Sequence, residues 1–199
     1  MSTTTADAPA PAPAIADPAP LGLAGFAMTT LALSLWNANI YPAAVESALA
    51  LALAYGGGAQ LLAGMWEFKR GNTFAATAFS SYGVFWIGFW YLATHILTSI
   101  PASEDASVVG TYLVGWCLFT FYMAIAATRV SVAVLLVFVL LTVAFVFLTI
   151  GNYRTNKSFI HWGGYFGLAT AGAAWYASFA GVTNATFGKT VVPVFPLAK

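Results

Sequence analysis

The side chains that commonly carry catalysis are few in this sequence, and they form no catalytic pattern. There are two histidines and one cysteine, Cys117. The long apolar stretches contain no Ser/His/Asp set, no H-E-x-x-H, no C-x-x-C and no acidic pair. Nucleophilic and metal-dependent catalysis need such sets. We therefore predict that the protein is not an enzyme and needs neither a metal nor a cofactor.

Neutral hydrogen-bonding side chains occur inside the apolar stretches instead. Groups of this kind line permeation routes for small polar solutes. The candidates for such a path are Thr29, Thr30, Asn37, Gln60, Ser81 and Thr142. Ser and Thr also bond routinely between membrane helices, and for any single hydroxyl that interpretation is favoured. Gln60 is the side chain for which a cavity position is favoured.

Lys and Arg are absent from the same stretches. A tight anion site normally contains a cation, because Arg matches carboxylate geometry in a charge-assisted pair. An anion would have to be held here by hydroxyls, amides, backbone N–H groups and helix N-termini. Such a site is weak, and it suits high flux or the protonated acid.

Three ionisable residues near the ends of the stretches are candidates for proton sensing: Glu46, His95 and His161. Histidine changes charge near its usual pKa of about 6.5, so it can act as a proton switch. A histidine at a membrane interface can also be satisfied by its surroundings and have no such role. With no partner visible in the sequence, that second interpretation is slightly favoured.

The composition identifies the solvent of this protein. Of 199 residues, 60% are hydrophobic and 7% charged, whereas about a quarter are charged in soluble domains. Mean hydropathy is +0.82. A single cysteine excludes a disulfide scaffold, and a net charge of +1 excludes a partner such as nucleic acid. The lipid bilayer remains, so we predict an integral membrane protein.

The apolar runs predict the architecture. Each has a length near the 20 residues that a spanning helix needs, and short polar breaks separate them. The runs cover residues 21–40, 45–68, 73–97, 108–127, 132–150 and 159–181. We predict an all-α bundle of six transmembrane helices forming one transport domain, residues 21–182. A disordered Pro/Ala-rich tail, residues 1–20, precedes it, and a tail of residues 183–199 follows.

Basic residues orient the bundle. With six spans, one side of the membrane holds the basic residues Lys69, Arg70, Arg129, Lys189 and Lys199. The other side holds Arg154 and Lys157. The positive-inside rule therefore puts both termini in the cytoplasm, in a multi-pass protein of the cell's inner (plasma) membrane. Small residues at spacing four in the last run, such as Gly163 and Gly167, allow close helix contacts. These contacts can lie within one protomer or between protomers.

Several long, ordered motifs carry a family resemblance. They are Asp17-Pro-Ala-Pro-Leu-Gly-Leu23, Gly25-Phe26, Tyr55-Gly-Gly57, Ala59-Gln60, Glu67-Phe-Lys-Arg-Gly-Asn-Thr-Phe74, Ser81-Tyr82-Gly83, Leu141-Thr142 and Ile150-Gly-Asn152. From about residue 17 to 193 the chain resembles the acetate uptake transporter family, which includes the YaaH/SatP-type succinate–acetate permeases and their fungal relatives. One departure is Asp17, which replaces the family's usual Asn. Asp can still cap the following helix, but it adds negative charge at an entrance for anions.

The resemblance implies a six-helix protomer that assembles into homohexamers, with a separate path through each protomer. It implies transport of acetate, and often succinate, by a channel or by coupling to protons. It also implies an apolar constriction at Phe26, Tyr82 and Leu141, and it adds Asn152 to the candidate path residues. The helical period alone places Phe26 on one face of its helix with Thr30, Leu33 and Asn37. It places Tyr82 on an aromatic row with Phe79, Trp86 and Trp90, and such rows are more often packing surfaces than pore linings.

Two other functions remain open from the residues alone. A urea or short-amide channel of related architecture would also use a neutral polar lining, and its flux would not respond to pH. A structural partner subunit would show no flux on its own. We therefore expect a transporter or channel for acetate that can also accept succinate. The alternative is a urea or short-amide channel.

Overall fold

The computed structural model describes residues 15–197, and their regular structure is helical throughout. Pairing of extended backbone in this part of the chain is limited to one isolated bridge between Ser131 and Pro196. The helices are α1 (Ala19–Asn37), α2 (Ala44–Leu53), α3 (Gln60–Arg70), α4 (Thr73–Tyr91), α5 (Asp105–Ala127), α6 (Val132–Tyr153) and α7 (Lys157–Phe187). The all-α prediction is confirmed.

Six helical rods result, because α2 continues into α3 through a π-helical turn, Ala54–Ala59. A second π-helical turn, Leu92–Ile96, extends α4. Each predicted apolar run matches one rod. Within residues 15–197, four rods are long and apolar enough to cross a membrane: Ala19–Asn37, Ala44–Arg70, Asp105–Ala127 and Val132–Tyr153. The chain is therefore a membrane protein.

The other two long helices, α4 and α7, carry polar groups that face the protein. Tyr82 and Trp86 of α4 are buried, as are Thr170 and Ser178 of α7. Large apolar side chains such as Leu62, Leu118 and Phe179 point outward instead. This inversion is what a helix bundle shows when lipid replaces water as its solvent.

Small residues let α7 pack closely on α1 and α6, its main neighbours. A Cβ at Gly164 would lie 2.7 Å from backbone atoms of Asn37 and Ala38 in α1. A Cβ at Gly163 would lie 2.6 Å from Leu148 of α6, and Gly167 faces Ser34 of α1. The sequence left open whether such small residues contact helices of the same protomer or of a neighbour. These glycines contact helices of the same protomer.

Side-chain caps and left-handed glycines set several helix ends. Asn72, Ser131 and Asn156 accept hydrogen bonds from the first turns of α4, α6 and α7. Gly71 and Gly188 follow α3 and α7 with φ of 76° and 64°, a conformation that glycine adopts without steric cost. We call the end of the bundle where α1 begins and α7 ends the near end, and the opposite end the far end.

An ion cluster ties the segment before α1 to the near end. Asp17 accepts from the backbone N–H of Ala19 at 3.0 Å and pairs with Arg70 of α3 at 2.5 Å. The Arg70 guanidinium also lies 3.7 Å from Glu67, which is fully buried. The negative charge that Asp17 adds is therefore offset by Arg70.

The segments outside the bundle differ from the predicted tails. Residues 15–18 precede α1 without regular structure, and residues 1–14 lie outside the described residues. The tail predicted from residue 183 begins inside α7, which continues to Phe187. Residues 190–197 then form a strap across the near end: Asn184 accepts from Val191 at 2.7 Å, and Val132 donates to Phe195 at 2.9 Å.

Candidate functional site: a series of cavities through the bundle

A cavity of about 140 Å³, the near cavity, opens between α1, α3, α4 and α6. Ala19, Asn72 and Val130 lie at the near end of its wall, and Phe26, Tyr82 and Leu141 lie deeper in the bundle. The wall is almost entirely apolar. The remaining lining residues are Leu23, Gln60, Phe74, Ala75, Ala78, Phe79, Val134, Val137 and Phe138.

Two further cavities continue toward the far end. The middle cavity, of about 40 Å³, is lined by Phe26, Thr30, Leu33, Ser34, Asn37, Trp86, Leu141, Ala144, Phe145, Leu148, Gly163 and Gly167. The far cavity, of about 300 Å³, is lined by Leu33, Trp36, Asn37, Val45, Leu49, Phe85, Phe89, Ala93, Leu97, Val109, Leu113, Leu148, Asn152 and Ile160. The three cavities follow one another because neighbouring cavities share wall residues. Phe26 and Leu141 line both the near and the middle cavity, and Asn37 lines both the middle and the far cavity.

The three residues that the family resemblance implies as a constriction lie together at the boundary between the near and middle cavities. The ring centroids of Phe26 and Tyr82 are 5.6 Å apart. Each of these side chains is at most 6% exposed, as is Leu141. Phe138 and Phe119 pack against Tyr82 at 6.1 and 5.3 Å. Aromatic packing from α1, α5 and α6 therefore surrounds the Tyr82 ring.

Three polar atoms in the cavity walls are buried without a hydrogen-bond partner in the described part of the chain. They are Oε1 of Gln60, in the near cavity, and Oγ1 of Thr30 and Nε1 of Trp86, in the middle cavity. An unpaired buried polar group is costly, so these atoms are suited to a bound solute or water. Indole N–H only donates, while a hydroxyl both donates and accepts. Both side chains belong to residues that line the middle cavity.

Four of the seven predicted path residues line these cavities. Gln60 lines the near cavity, Thr30 the middle cavity, Asn152 the far cavity, and Asn37 both of the last two.

The other three predicted path residues lie outside the walls of the three cavities. Thr29 is buried against the π-helical turn and donates to the Gly25 carbonyl at 2.9 Å. Thr142 donates to the Phe138 carbonyl at 2.7 Å. Ser81 is half-buried on α4. Each of these two threonine hydroxyls therefore donates to a carbonyl of its own helix and does not line a cavity.

The residues predicted to sense protons all lie toward the far end, in different surroundings. His161 lines a surface pocket of about 280 Å³ with Asn37 and Lys157, and this pocket, which we call the far mouth, shares Asn37 with the far cavity. His95 is exposed, stacks on Tyr91 at 4.8 Å and pairs with Thr94 at 2.7 Å. Glu46 is exposed in the first turn of α2. Of the three, only His161 is at the entrance to the cavity series.

Two side chains that sequence reasoning did not single out complete this region. Trp86 follows Tyr82 by one helical turn and lines the middle cavity, although the sequence pattern favoured packing for its aromatic row. Thr120 of α5 is fully buried and lies 2.8 Å from the Tyr82 hydroxyl. No sequence signal connects Thr120 with Tyr82, because 38 residues separate them.

Known proteins share this sequence and this arrangement of helices. The chain is 41% identical to the succinate-acetate/proton symporter SatP of Escherichia coli K12 over 89% of this chain and 94% of that protein. It is 41% identical to acetate permease A of Emericella nidulans over 89% of this chain and 65% of that protein. The solved structure of the bacterial acetate channel SatP superposes with a TM-score of 0.86 at 40% identity, covering 91% and 99% of the two chains.

The family assignment follows from the extent of these matches. The sequence model of the GPR1/FUN34/yaaH family matches residues 2–199, so the resemblance seen in the sequence motifs is confirmed over nearly the whole chain. The chain belongs to the GPR1/FUN34/yaaH family.

Proposed function

We propose that this protein moves acetate across a membrane along the near, middle and far cavities of a single protomer. The observation that carries the proposal is the cavity series itself, divided by Phe26, Tyr82 and Leu141 and containing unpaired hydrogen-bonding atoms. Similar proteins are named as an acetate permease and an acetate channel, which favours transport over catalysis and a carboxylate over urea.

The electrostatics of the path favour the protonated acid, or an anion that travels with a proton. Among residues 15–197, the walls of the three cavities hold no Lys, Arg, Asp or Glu. An ionised carboxylate that enters such a wall loses its hydration without a countercharge, which is far costlier than transferring a neutral acid. Lys157 at the far mouth can attract the anion, but it does not accompany it inside.

The wider proposal places six rods across the cell's inner membrane, with both termini in the cytoplasm and six protomers in each assembly. Lys69, Arg70, Arg129 and Lys189 at the near end support that orientation. Succinate, named with acetate for the Escherichia coli relative, is proposed as a second substrate. Large outward apolar side chains on α5, such as Leu118 and Phe121, can contact either lipid or a neighbouring protomer.

Acetate flux into proteoliposomes is expected to rise as the external pH falls from 7 to 5 at constant total acetate. The protonated fraction increases over this range, and only that form avoids the desolvation penalty. The measurement is the initial rate of labelled acetate uptake, with protein-free vesicles subtracted. Urea uptake in the same vesicles tests the alternative solute.

Three outcomes of this experiment have different meanings. A flat pH profile contradicts proton dependence. Urea flux that exceeds acetate flux contradicts the substrate. The same profile measured with His161→Gln isolates the entrance histidine: an unchanged profile assigns the pH dependence to the acid, and a shifted one assigns part of it to His161.

Replacing the two donors of the middle cavity is expected to slow acetate. Thr30→Val and Trp86→Phe each remove one hydrogen bond of about 1 kcal/mol to the carboxyl group, or roughly fivefold in rate. The initial uptake rate per folded protein is the measurement.

Neighbouring residues of the same types provide matched controls. Thr29→Val and Trp90→Phe change side chains that do not line the three cavities, and both are expected to keep the parental rate. Equal losses in Thr29→Val and Thr30→Val would contradict a specific role for the middle cavity.

A further inference from the structure

The Tyr82 hydroxyl forms a short chain of hydrogen bonds with α5. Its oxygen lies 2.8 Å from Oγ1 of Thr120, which in turn lies 2.7 Å from the carbonyl oxygen of Trp116. Tyr82 is 3% exposed and Thr120 is fully buried. Within the described residues, their hydrogen bonds run among these three partners.

Counting protons fixes the direction of the chain. A threonine hydroxyl has one proton, and Thr120 donates it to the Trp116 carbonyl, which has none. The 2.8 Å contact is therefore made by the Tyr82 proton, and Thr120 is its acceptor. Tyr82 is left with lone pairs only, so its hydroxyl can accept a further hydrogen bond but cannot donate one.

This count has a consequence for the two forms of a carboxylic acid. An acid O–H is a donor and finds an acceptor in Tyr82, whereas a carboxylate only accepts and finds no donor there. Thr120 itself does not line any of the three cavities. It therefore acts on the substrate only through Tyr82.

We propose that Thr120 is a positioning residue that sets the specificity of the path for protonation state: by taking the Tyr82 proton, it makes the constriction discriminate against the ionised carboxylate. This inference rests on the proposed function. For Tyr82 to donate to an anion, Thr120 would have to turn its own proton to Tyr82 and give up its bond to Trp116. The backbone carbonyl therefore supports the selectivity.

Other titrating groups do not produce this effect near Tyr82. Among the described residues, the titratable side chains that interact with Tyr82 are Tyr122 and Cys117 of α5, and phenols and thiols ordinarily titrate above pH 8. Phe26 of α1 and Phe138 of α6, which pack against Tyr82, are apolar. The pH dependence at this point therefore comes from the substrate.

The test compares three variants by the ratio of acetate uptake at pH 5 to that at pH 7. Thr120→Val keeps the shape of the side chain but frees the Tyr82 proton to bind the anion. It is expected to lower the ratio about threefold or more, the size of one hydrogen bond. Tyr82→Phe removes both the proton and the acceptor, so it is expected to lower the rate at pH 5 and leave the rate at pH 7 unchanged, whereas Thr120→Val is expected to raise the rate at pH 7 and keep the rate at pH 5. The double variant is expected to behave as Tyr82→Phe does, because the effect of Thr120→Val requires the Tyr82 hydroxyl.

Controls separate this effect from damage to the fold. Thr170 is fully buried and makes the same kind of bond, to the Phe166 carbonyl at 2.8 Å, but it does not contact the path, so Thr170→Val is expected to keep the parental ratio. Thr120→Ser retains an acceptor and is expected to keep it too. Should Thr120→Val fail to fold, Thr120→Ala makes the same test.

Two results would overturn the inference. One is a parental ratio in folded Thr120→Val or Thr120→Ala. The other is a double variant whose rate at pH 7 is raised as in Thr120→Val alone. A flat profile in the parent protein is a different failure, since it rejects the proposed function itself.

Discussion

Phe26→Ala is expected to let acids larger than acetate through the constriction. The Phe26 ring lines both the near and the middle cavity and is 4% exposed, so its removal joins two cavities of about 140 and 40 Å³. One methylene more or less in a substrate commonly changes its rate, relative to a competing substrate, by 10–200-fold. We expect the uptake of succinate or butyrate, relative to acetate, to increase about tenfold or more, measured as paired initial rates in proteoliposomes.

The control for this variant is a half-buried phenylalanine away from the path. Phe147 of α6 stacks on Phe166 at 5.5 Å and does not line the three cavities. Phe147→Ala therefore costs stability without widening the path, and its ratio of rates should equal the parent's. If folded Phe26→Ala keeps the parental preference for acetate, Phe26 does not limit the size of the substrate.

Gly164→Ala is expected to cost the protomer much of its stability. The added methyl group would lie 2.7 Å from the backbone of Asn37 and Ala38, and backbone atoms cannot turn aside as a flexible side chain can. Overpacking of this kind costs about 1–3 kcal/mol, and occasionally more. The measurement is the midpoint of thermal unfolding in detergent, monitored by size-exclusion chromatography, and the midpoint is expected to fall.

Gly172 of the same helix is the matched control, because no atom lies within 4 Å of a Cβ placed there. Alanine is the better helix former by up to about 1 kcal/mol, so Gly172→Ala is expected to keep or raise the midpoint. Loss of an oligomer with intact, equally stable protomers in Gly164→Ala would contradict the position of this glycine within the protomer.

The positions of the rods were predictable because lipid demands long apolar runs, and each predicted run matches a rod. Their ends were less predictable, since they depend on single residues. The last run was predicted to end at Gly181, but α7 continues to Phe187 and ends at the left-handed Gly188. Glycine is frequent inside membrane helices, so Gly181 was not a reliable sign that the helix ends there. The π-helical turns were not predicted either: the three consecutive glycines within Ala54–Ala59 weaken a helix, but they do not specify a π-helical turn.

The cavity walls were only partly predictable because adjacent helical residues point about 100° apart. Thr29 and Thr30 are the same residue type at consecutive positions, and only the packing of α1 shows that Thr30 lines a cavity. Sequence motifs supplied Leu141 through the family resemblance, not through periodicity. The partner of Tyr82 needed the structure, since the contact with Thr120 depends on how α4 and α5 pack.

The size of the middle cavity restricts traffic along the proposed path. A water needs roughly 10–15 Å³ of such space, so about 40 Å³ holds a few waters or one molecule of acetate's size. Two substrates cannot pass each other there, and one that waits in it blocks movement in both directions. The flux therefore reaches a maximum once the middle cavity is always occupied, and this requires no conformational change of the helices. For this protein, saturation kinetics are therefore as natural for a single-file pore as for a carrier.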